Sequence, residues 1–229
     1  MAYTTIDDPS VYFQTALWTG NGSSQSITND GNSDLQPDWI WTKRRDGDGQ
    51  NHHAIDSTRG TSKALVVNDT DAEATKSSGI TAFNSDGFSV GSDANFNTNS
   101  NNFVAWQWKA NGGTTSSNND GSYTSTVQAN TTAGFSIVKY GDASSFSAST
   151  PATVGHGLGS APKWILIKNL DGSRSWGVHH VSNGAGKIIY LDLTNAVANS
   201  TGFDNGTLPT SSVFTVNTLS IANGNNLEY

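Results

Sequence analysis

The sequence predicts an all-β protein made of two tandem antiparallel β-sandwich domains, of the jelly-roll or concanavalin A-like kind, related by internal duplication. Short apolar segments alternate with a two-residue period, as in residues 103–108, which is typical of half-buried strands. Clusters of Gly, Asn, Asp and Ser separate these segments and favour hairpin turns. The best helical candidate, residues 69–75, spans too few turns to be stable alone.

The duplication is indicated by a segment that occurs twice with a proline, a tryptophan and a lysine at fixed spacing. It reads LQPDWIWTK over residues 35–43 and SAPKWILIK over residues 160–168, so the three residues recur 125 positions later. Solenoid repeats recur every 20–50 residues or so, and this period is much longer. The repeat therefore predicts two copies of a whole domain.

The domain boundaries follow from the repeat. The first module is predicted over residues 1–110 and the second over residues 119–229, joined by a flexible linker, residues 111–118, that is rich in Gly, Ser and Thr. Aligned with Asn101–Trp108, the segment Asn225–Tyr229 covers only the beginning of a last strand. We expect either that the chain continues beyond Tyr229 or that a partner supplies the missing strand, because an unpaired sheet edge promotes aggregation.

Composition narrows the classes of function. The net charge is −7, the pI is near 4.9 and only 12 residues are Lys or Arg, which argues against a nucleic-acid partner. The absence of cysteine excludes disulfides, thiolate metal sites and thiol catalysis. The N-terminus shows no signal peptide, and no apolar segment approaches the roughly 20 residues needed to span a bilayer. We expect a soluble protein without membrane insertion.

Catalytic and cofactor motifs are not evident. The two glutamates, Glu73 and Glu228, do not form the acidic strand motif of sandwich-fold glycosidases, and most aspartates adjoin turn residues. The glycine-rich segment 154–159 lacks the Lys-Ser/Thr pair of a phosphate-binding loop. The sequence therefore predicts no enzyme, no catalytic residue, no cofactor and no metal-binding residue.

Two histidine doublets, His52-His53 and His179-His180, lie 127 residues apart and are expected at roughly equivalent places in the two modules. Adjacent strand residues point to opposite faces, so one doublet cannot easily chelate one ion. We interpret the histidines as structural, with a metal site on an oligomer axis as the alternative. His180 shares a predicted strand face with Trp176, which makes it a packed or rim residue. His53 and His180 are retained as candidate partner contacts.

Lys43-Arg44-Arg45 is the one basic cluster and is a candidate contact for an acidic glycan or a partner chain; the alternative is a solvated strand end. Five tryptophans are predicted as a core signature, because buried rings compensate for the low content of aliphatic residues. Tryptophan and tyrosine rings that are exposed would stack on sugars. The five are Trp39, Trp41, Trp106, Trp164 and Trp176.

Several segments resemble the repeated modules of tail-fibre-like virion proteins of marine bacteriophages that infect cyanobacteria and abundant ocean bacteria. They are the opening MAYTTI and the stretches FNSDGFSVGS (83–92), NFVAW (102–106), ANTTAGFSIV (129–138) and VGHGLG (154–159). The resemblance implies an oligomeric virion protein, trimeric as fibres often are, with lectin-like sandwiches. It implies as partners other copies of the chain, other virion proteins and host-surface glycans, and it carries no catalytic residues.

The predicted function is that of a phage virion structural protein, a tail-fibre or capsid-appendage component that serves particle attachment or host-surface recognition. It would be assembled in the host cytoplasm and located in the virion. The alternative is a carbohydrate-binding module or polysaccharide depolymerase of a marine bacterium or phage. If point changes at Asp or Glu abolished glycan cleavage by the purified protein, the depolymerase would be favoured.

Overall fold

The computed structural model describes residues 6–47, 49–142, 144 and 146–229, so the first five residues of the MAYTTI opening lie outside it. The prediction of an all-β fold is confirmed. The chain divides into two compact units: unit 1 comprises Met1–Val66 and Ala74–Thr114, and unit 2 comprises Val67–Glu73 and Thr115–Tyr229. The predicted boundary did not anticipate that residues 67–73 belong to unit 2.

Unit 1 contains nine described strands and one short helix. The strands are β1 (Phe13–Thr19), β2 (Gln25–Ile27), β3 (Trp39–Arg44), β4 (His52–Asp56), β5 (Lys63–Val66), β6 (Ala74–Thr75), β7 (Ile80–Phe83), β8 (Phe88–Val90) and β9 (Asn102–Trp108), and the helix is α1 (Ala94–Asn97). A 3-10 turn at Pro9–Val11 precedes β1.

Two antiparallel sheets form unit 1. The larger has the strand order β1-β9-β3-β4-β5-β6 and the smaller has the order β2-β8-β7. Their buried side chains meet in one cluster that includes Ile40 and Phe103 from the larger sheet and Phe88 from the smaller. Gly87 closes the predicted turn before β8 with φ +93°, and a Cβ there would lie 2.0 Å from the Ile27 carbonyl oxygen. Unit 1 is therefore a β-sandwich-like body.

Unit 2 contains the remaining strands and a second short helix. The strands are β10 (Ser116–Asn118), β11 (Ser125–Asn130), β12 (Phe135–Tyr140), β13 (Ala152–Gly155), β14 (Trp164–Ile167), β15 (Gly177–His180), β16 (Lys187–Tyr190), β17 (Ala198–Asn199) and β18 (Val213–Val216), and the helix is α2 (Thr201–Asp204). The sheet orders are β10-β11-β12, β13-β18 and β14-β15-β16-β17, and a 3-10 turn occupies Val181–Asn183.

The segment 67–73 joins unit 2 through backbone hydrogen bonds. The Glu73 N–H donates to the Leu170 carbonyl, and the Arg174 N–H donates to the Thr70 carbonyl. Lys168, the lysine of the second repeat segment, is buried beneath it and donates from Nζ to the Thr70 carbonyl at 2.9 Å. Burial lowers the pKa of Lys168 to about 8.

The same strand connectivity occurs in both units. The antiparallel meander β3-β4-β5-β6 matches β14-β15-β16-β17, and the pair β2-β8 matches β13-β18. Ring packing also matches: Trp18 stacks on Phe103 and meets Phe88 edge-on, while in unit 2 Tyr140 stacks on Tyr229 and meets Phe214 edge-on. The common arrangement agrees with the predicted duplication, which stays a prediction.

The prediction of a flexible linker over residues 111–118 is wrong for residues 116–118. Ser116–Asn118 form β10, which pairs antiparallel with β11. In the first half, the N–H groups of Gly112 and Gly113 donate to the carboxylate of Asp38. A composition rich in Gly, Ser and Thr predicts flexibility, but a strand edge and a buried carboxylate hold these residues in place.

Candidate binding surface

One face of the large sheet of unit 1 carries an unusual concentration of rings. The register places three rows of residues side by side across β1, β9, β3 and β4. The rows are Phe13–Trp108–Trp39–Asp56, Thr15–Trp106–Trp41–Ala54 and Leu17–Val104–Lys43–His52. We call the side chains that β1, β9 and β3 contribute to these rows, together with His52, the aromatic face; Ala54 and Asp56, at its β4 side, are buried.

The aromatic face points away from the core, because successive residues of a strand point to opposite sides. In β9, the alternate residues Phe103, Ala105 and Gln107 are buried, and Trp106 and Trp108 are only partly so. The core is already filled from the second sheet by Phe88 and from α1 by Phe96, both fully buried. Of the inward residues of β9 only Ala105 is small, and the rings of Trp106 and Trp108 lie on the outer side of the sheet.

Neighbouring rings on this face contact one another. Phe13 and Trp108 have ring centroids 4.9 Å apart, and Trp41 and Trp106 have centroids 6.3 Å apart in an edge-on arrangement. Such pairs are typical of stable aromatic packing. The rings therefore form a connected surface and hold one another in defined orientations.

His52 completes the aromatic face at β4. The indole Nε1 of Trp41 donates to His52 Nδ1 at 3.0 Å, so the imidazole is an acceptor at that nitrogen and is neutral. Burial, followed by the positive charge of Lys43, lowers the pKa of His52. The histidine thus fixes the orientation of Trp41 without adding charge to the surface.

The edge of the aromatic face is strongly exposed. Leu17 is 63% exposed and Phe13 is 39% exposed, while the four tryptophans are partly buried. An antiparallel sheet with one solvated side normally shows polar residues there. An exposed contiguous apolar patch marks an interaction site. We therefore identify the aromatic face as the candidate binding surface.

The predicted tryptophan core signature is largely wrong. Trp176 is buried, but Trp39, Trp41 and Trp106 lie on the outward aromatic face, and Trp164 is 52% exposed. The core of unit 1 contains Trp18 instead, which the prediction left out. Alternation alone did not identify the inward face, because both faces of these strands carry apolar residues.

The basic cluster separates in the structure. Lys43 lies on the aromatic face and donates from Nζ to the Gln50 carbonyl at 2.8 Å. Arg44 pairs through Nε with the Asp46 carboxylate at 3.0 Å, and Arg45 is exposed at the strand end. Among the three, only Lys43 belongs to the candidate surface.

The histidine doublets are not equivalent, contrary to the prediction. His53 lies opposite Thr42 of β3, whereas His180 lies opposite Trp164 of β14, the counterpart of Trp39. His53 is only 4% exposed and packs against Phe96, so it is not a surface contact. His180 is exposed, and its Nδ1 lies 2.6 Å from Ser182 Oγ at the start of a 3-10 turn.

His53 makes unit 1 sensitive to acid. Burial, and then the charge of Lys76, lowers the pKa of His53 from 6.5 to about 4. The unfolded chain therefore binds a proton that the folded chain does not bind between these two values. Above pH 6.5 or so, His53 does not change the free energy of unfolding. As the pH falls towards about 4, the free energy of unfolding decreases by an amount on the order of 3 kcal/mol.

We expect the variant His53→Leu to lose less stability than the wild type between pH 7 and pH 4.5. Urea unfolding followed by tryptophan fluorescence measures this, because five of the seven tryptophans lie in unit 1. His180→Leu, at an exposed histidine, is the matched control and should retain the wild-type pH dependence. Equal losses in wild type and His53→Leu would show that His53 is not responsible.

A second polar cluster lies within unit 2. His179 Nδ1 is 3.7 Å from Asp204 Oδ2, both side chains are buried, and the Asp204 carboxylate accepts from the N–H groups of Gly186 and Gly206. The neighbouring cavity, lined by Ile165 and Phe214 among others, is too small for anything larger than about one water molecule. The carboxylate closes a backbone turn, which is a structural role.

Two features are absent from the part of the chain that the structure describes. No group of three or more His, Cys, Asp or Glu side chains within it is placed to hold a metal ion. None of its helices has the length and apolar character needed to cross a membrane.

The fold and the aromatic face together define an all-β protein of two compact units, one of which displays a ring-rich sheet surface. Its family follows from a family model that matches residues 8–229: the chain belongs to the family described as a domain of unknown function, DUF7483. No curated protein and no solved structure matches the chain.

Proposed function

We propose that this chain is a structural protein of a bacteriophage particle, a tail-fibre or capsid-appendage component that acts by binding. The supporting observation is the aromatic face of unit 1, which presents apolar rings on a sheet side that is normally polar. The sequence resemblance to marine phage fibre modules suggests the particle as its location. The contacts it would make are with copies of itself, as in a trimeric fibre, or with other virion proteins.

The physical argument concerns desolvation. Each indole ring that another protein covers loses a large apolar area of contact with water. Removal of this area from water is favourable by about 25 cal/mol per Å². The ring contacts and the bond from Trp41 to His52 fix the side chains before binding, so little conformational entropy is lost on association. Large, rigid and partly exposed rings are typical of interface hot spots.

Host-surface glycans are the second candidate ligand, and the same rings favour them, because the C–H faces of sugars stack on indole rings. In that case the chain would be a carbohydrate-binding module or part of a depolymerase. Lys43, at the border of the aromatic face, would suit an acidic glycan. Binding of purified polysaccharides to the isolated protein separates this candidate from an assembly role.

We expect Trp106→Ala to reduce incorporation of the protein into particles by at least about tenfold, because it removes the ring at the centre of the aromatic face. The measurement is the copy number of the polypeptide per purified particle, by quantitative mass spectrometry. Trp164→Ala, which removes an exposed tryptophan of unit 2, is the matched control and should leave incorporation unchanged.

Three other outcomes decide between the proposals. Purified particles that lack the wild-type polypeptide would contradict the assignment to the virion. Equal incorporation of Trp106→Ala and wild type would contradict the role of the aromatic face. Loss of polysaccharide binding in Trp106→Ala, with incorporation intact, would favour the glycan ligand.

A further inference from the structure

The hydrogen bond between Trp41 and His52 on the aromatic face requires a neutral histidine. The indole Nε1 of Trp41 can only donate, and it donates to His52 Nδ1 at 3.0 Å. A protonated imidazole carries a hydrogen on both nitrogens, so neither nitrogen can accept this bond. Protonation of His52 therefore breaks the bond, whichever way the imidazole ring is turned.

Trp41 connects His52 to the centre of the aromatic face. It lies directly opposite Trp106 of β9, and the two rings meet edge-on with centroids 6.3 Å apart. The ring of His52, on β4, also meets the Trp41 ring edge-on, with centroids 6.0 Å apart. Trp41 is thus held from both neighbouring strands. Loss of the bond to His52 removes a contact that orients the indole and turns its N–H towards water.

Protonation of His52 also places a second positive charge on the aromatic face. His52 lies directly opposite Lys43 in the pairing of β3 with β4. Lys43 Nζ donates to the Gln50 carbonyl at 2.8 Å, which keeps the ammonium group near the hairpin that joins these strands. Like charges directly opposite each other on antiparallel strands are destabilising. A partner that covers the protonated face would also have to desolvate two cations in place of one.

Lys43 is the charged group that acts on His52. Burial, and then the charge of Lys43, lowers the pKa of His52 below 6.5. The other charged or titratable groups of the elements around β4 lie farther along the strands, are paired, or act on the core side. They are Lys63 at the beginning of β5, Arg44 paired with Asp46, Asp56 paired with Arg59, and Lys76 and Asp93, which act on the buried His53.

The direction of the pH effect on binding follows from linkage. A partner that covers the aromatic face buries His52 further, which lowers its pKa again. In acid, the free chain therefore binds a proton that the bound chain does not, and binding weakens as the pH falls through the pKa of His52 in the free chain. Above that pKa, the histidine is neutral in both states. Below it, the loss of affinity approaches about tenfold for each pH unit.

We propose that His52 is an acid-sensitive switch on the aromatic face: the neutral ring holds Trp41 in position for binding, and protonation releases the bound partner. This inference rests on the function proposed above, because it concerns the regulation of the same surface. It adds a condition to that function, namely attachment near neutral pH and release in acid.

The first test follows the indole N–H of Trp41 in the purified chain by proton–nitrogen correlation NMR between pH 7.5 and pH 5, with Trp41→Phe to assign the signal. We expect the signal to shift in one titration step, and its exchange with water to accelerate at least about tenfold as the bond is lost. His52→Gln supplies an acceptor that does not titrate, so the signal should stay constant. His180→Gln, at an exposed histidine, is the matched control and should titrate as the wild type does.

The second test measures release from purified particles. Particles are incubated at pH 7 and at pH 5 and sedimented, and the released polypeptide is quantified by mass spectrometry. We expect wild type and His180→Gln to be released at least about threefold more at pH 5 than at pH 7. For His52→Gln, we expect equal release at the two pH values, whatever its amount. Because the pKa of His53 is about 4, unit 1 should stay folded at pH 5, which far-UV circular dichroism verifies.

The outcomes separate this inference from the proposed function. If the Trp41 signal does not respond to pH, or responds equally in His52→Gln, the switch is wrong, while incorporation into particles would still support the proposed function. Tighter retention at pH 5, or tighter binding of an acidic polysaccharide, would overturn release and favour a glycan ligand. Particles that lack the polypeptide would contradict the proposed function and release from particles together, even where the Trp41 signal titrates.

Discussion

Replacement of Asp38 by alanine is expected to lower the free energy of unfolding of unit 1 by about 3–5 kcal/mol. The side chain is fully buried, and Oδ2 accepts from the N–H groups of Ala110 and Gly112 at 2.7 and 2.8 Å. Oδ1 accepts from the Gly113 N–H at 2.7 Å and from Ser57 Oγ at 2.6 Å. Alanine removes the acceptor of all four bonds at once.

The reason for so large an effect is the cost of leaving buried donors without this acceptor, about 1–3 kcal/mol for each group. Asp38 is also the residue that holds the end of unit 1 against the beginning of β3, because residues 110–113 follow β9 directly. Asn at this position keeps the shape but places an N–H₂ group against N–H donors. We therefore expect Asp38→Asn to be destabilised as well.

The measurement is urea unfolding followed by tryptophan fluorescence and far-UV circular dichroism. Asp46→Ala is the matched control, since Asp46 also accepts a backbone N–H, from Asn102 at 2.8 Å, but lies at the surface beside Arg44. Surface pairs contribute little to stability, so this variant should stay close to wild type. Similar losses in both variants would refute the role assigned to Asp38.

The sequence was sufficient to predict strands, because alternation is a local property of the chain. It was not sufficient to predict which face of a strand is buried when both faces are apolar. In β9, the inward residues are Phe103, Ala105 and Gln107 and the outward ones include Trp106 and Trp108, so hydrophobicity alone favours the wrong face. Phe88 of β8 and Phe96 of α1 fill the core, and they determine which face of β9 is the inward one.

The equivalence of the histidine doublets failed for a related reason. Matching by spacing along the chain ignores the hydrogen-bonded register, and an offset that differs by a few residues moves a side chain to another row or face. His53 pairs with Thr42 and His180 with Trp164, so one is buried and the other exposed. The Pro-Trp-Lys motif was more informative, because Trp39 and Trp164 occupy the same place in matching meanders.

The membership of residues 67–73 in unit 2 had no signal in the sequence. These residues continue directly from β5, and composition gives no reason to separate them from it. Residues 67–73 are held by long-range hydrogen bonds to Leu170, Arg174 and the buried ammonium group of Lys168. Such contacts depend on the folded positions of both partners, which local patterns do not encode.

Phe88→Ala is expected to lower the free energy of unfolding of unit 1 by about 3–5 kcal/mol, because it leaves a cavity between the two sheets. Phe88 is fully buried on β8 of the smaller sheet, and its ring meets Trp18 of the larger sheet edge-on with centroids 5.5 Å apart. Trp18 in turn stacks on Phe103 at 5.2 Å. Loss of the Phe88 ring therefore removes packing on both sheets.

Phe13→Ala is the matched control for this prediction, because the same side chain is removed from the outward face. Phe13 is half-exposed and contacts Trp108, so its removal creates no cavity and should cost about 1 kcal/mol. Chemical denaturation of the two variants gives the comparison directly. If Phe13→Ala destabilised unit 1 as much as Phe88→Ala, the aromatic face would be part of the folding core, and its assignment as a binding surface would have to be abandoned.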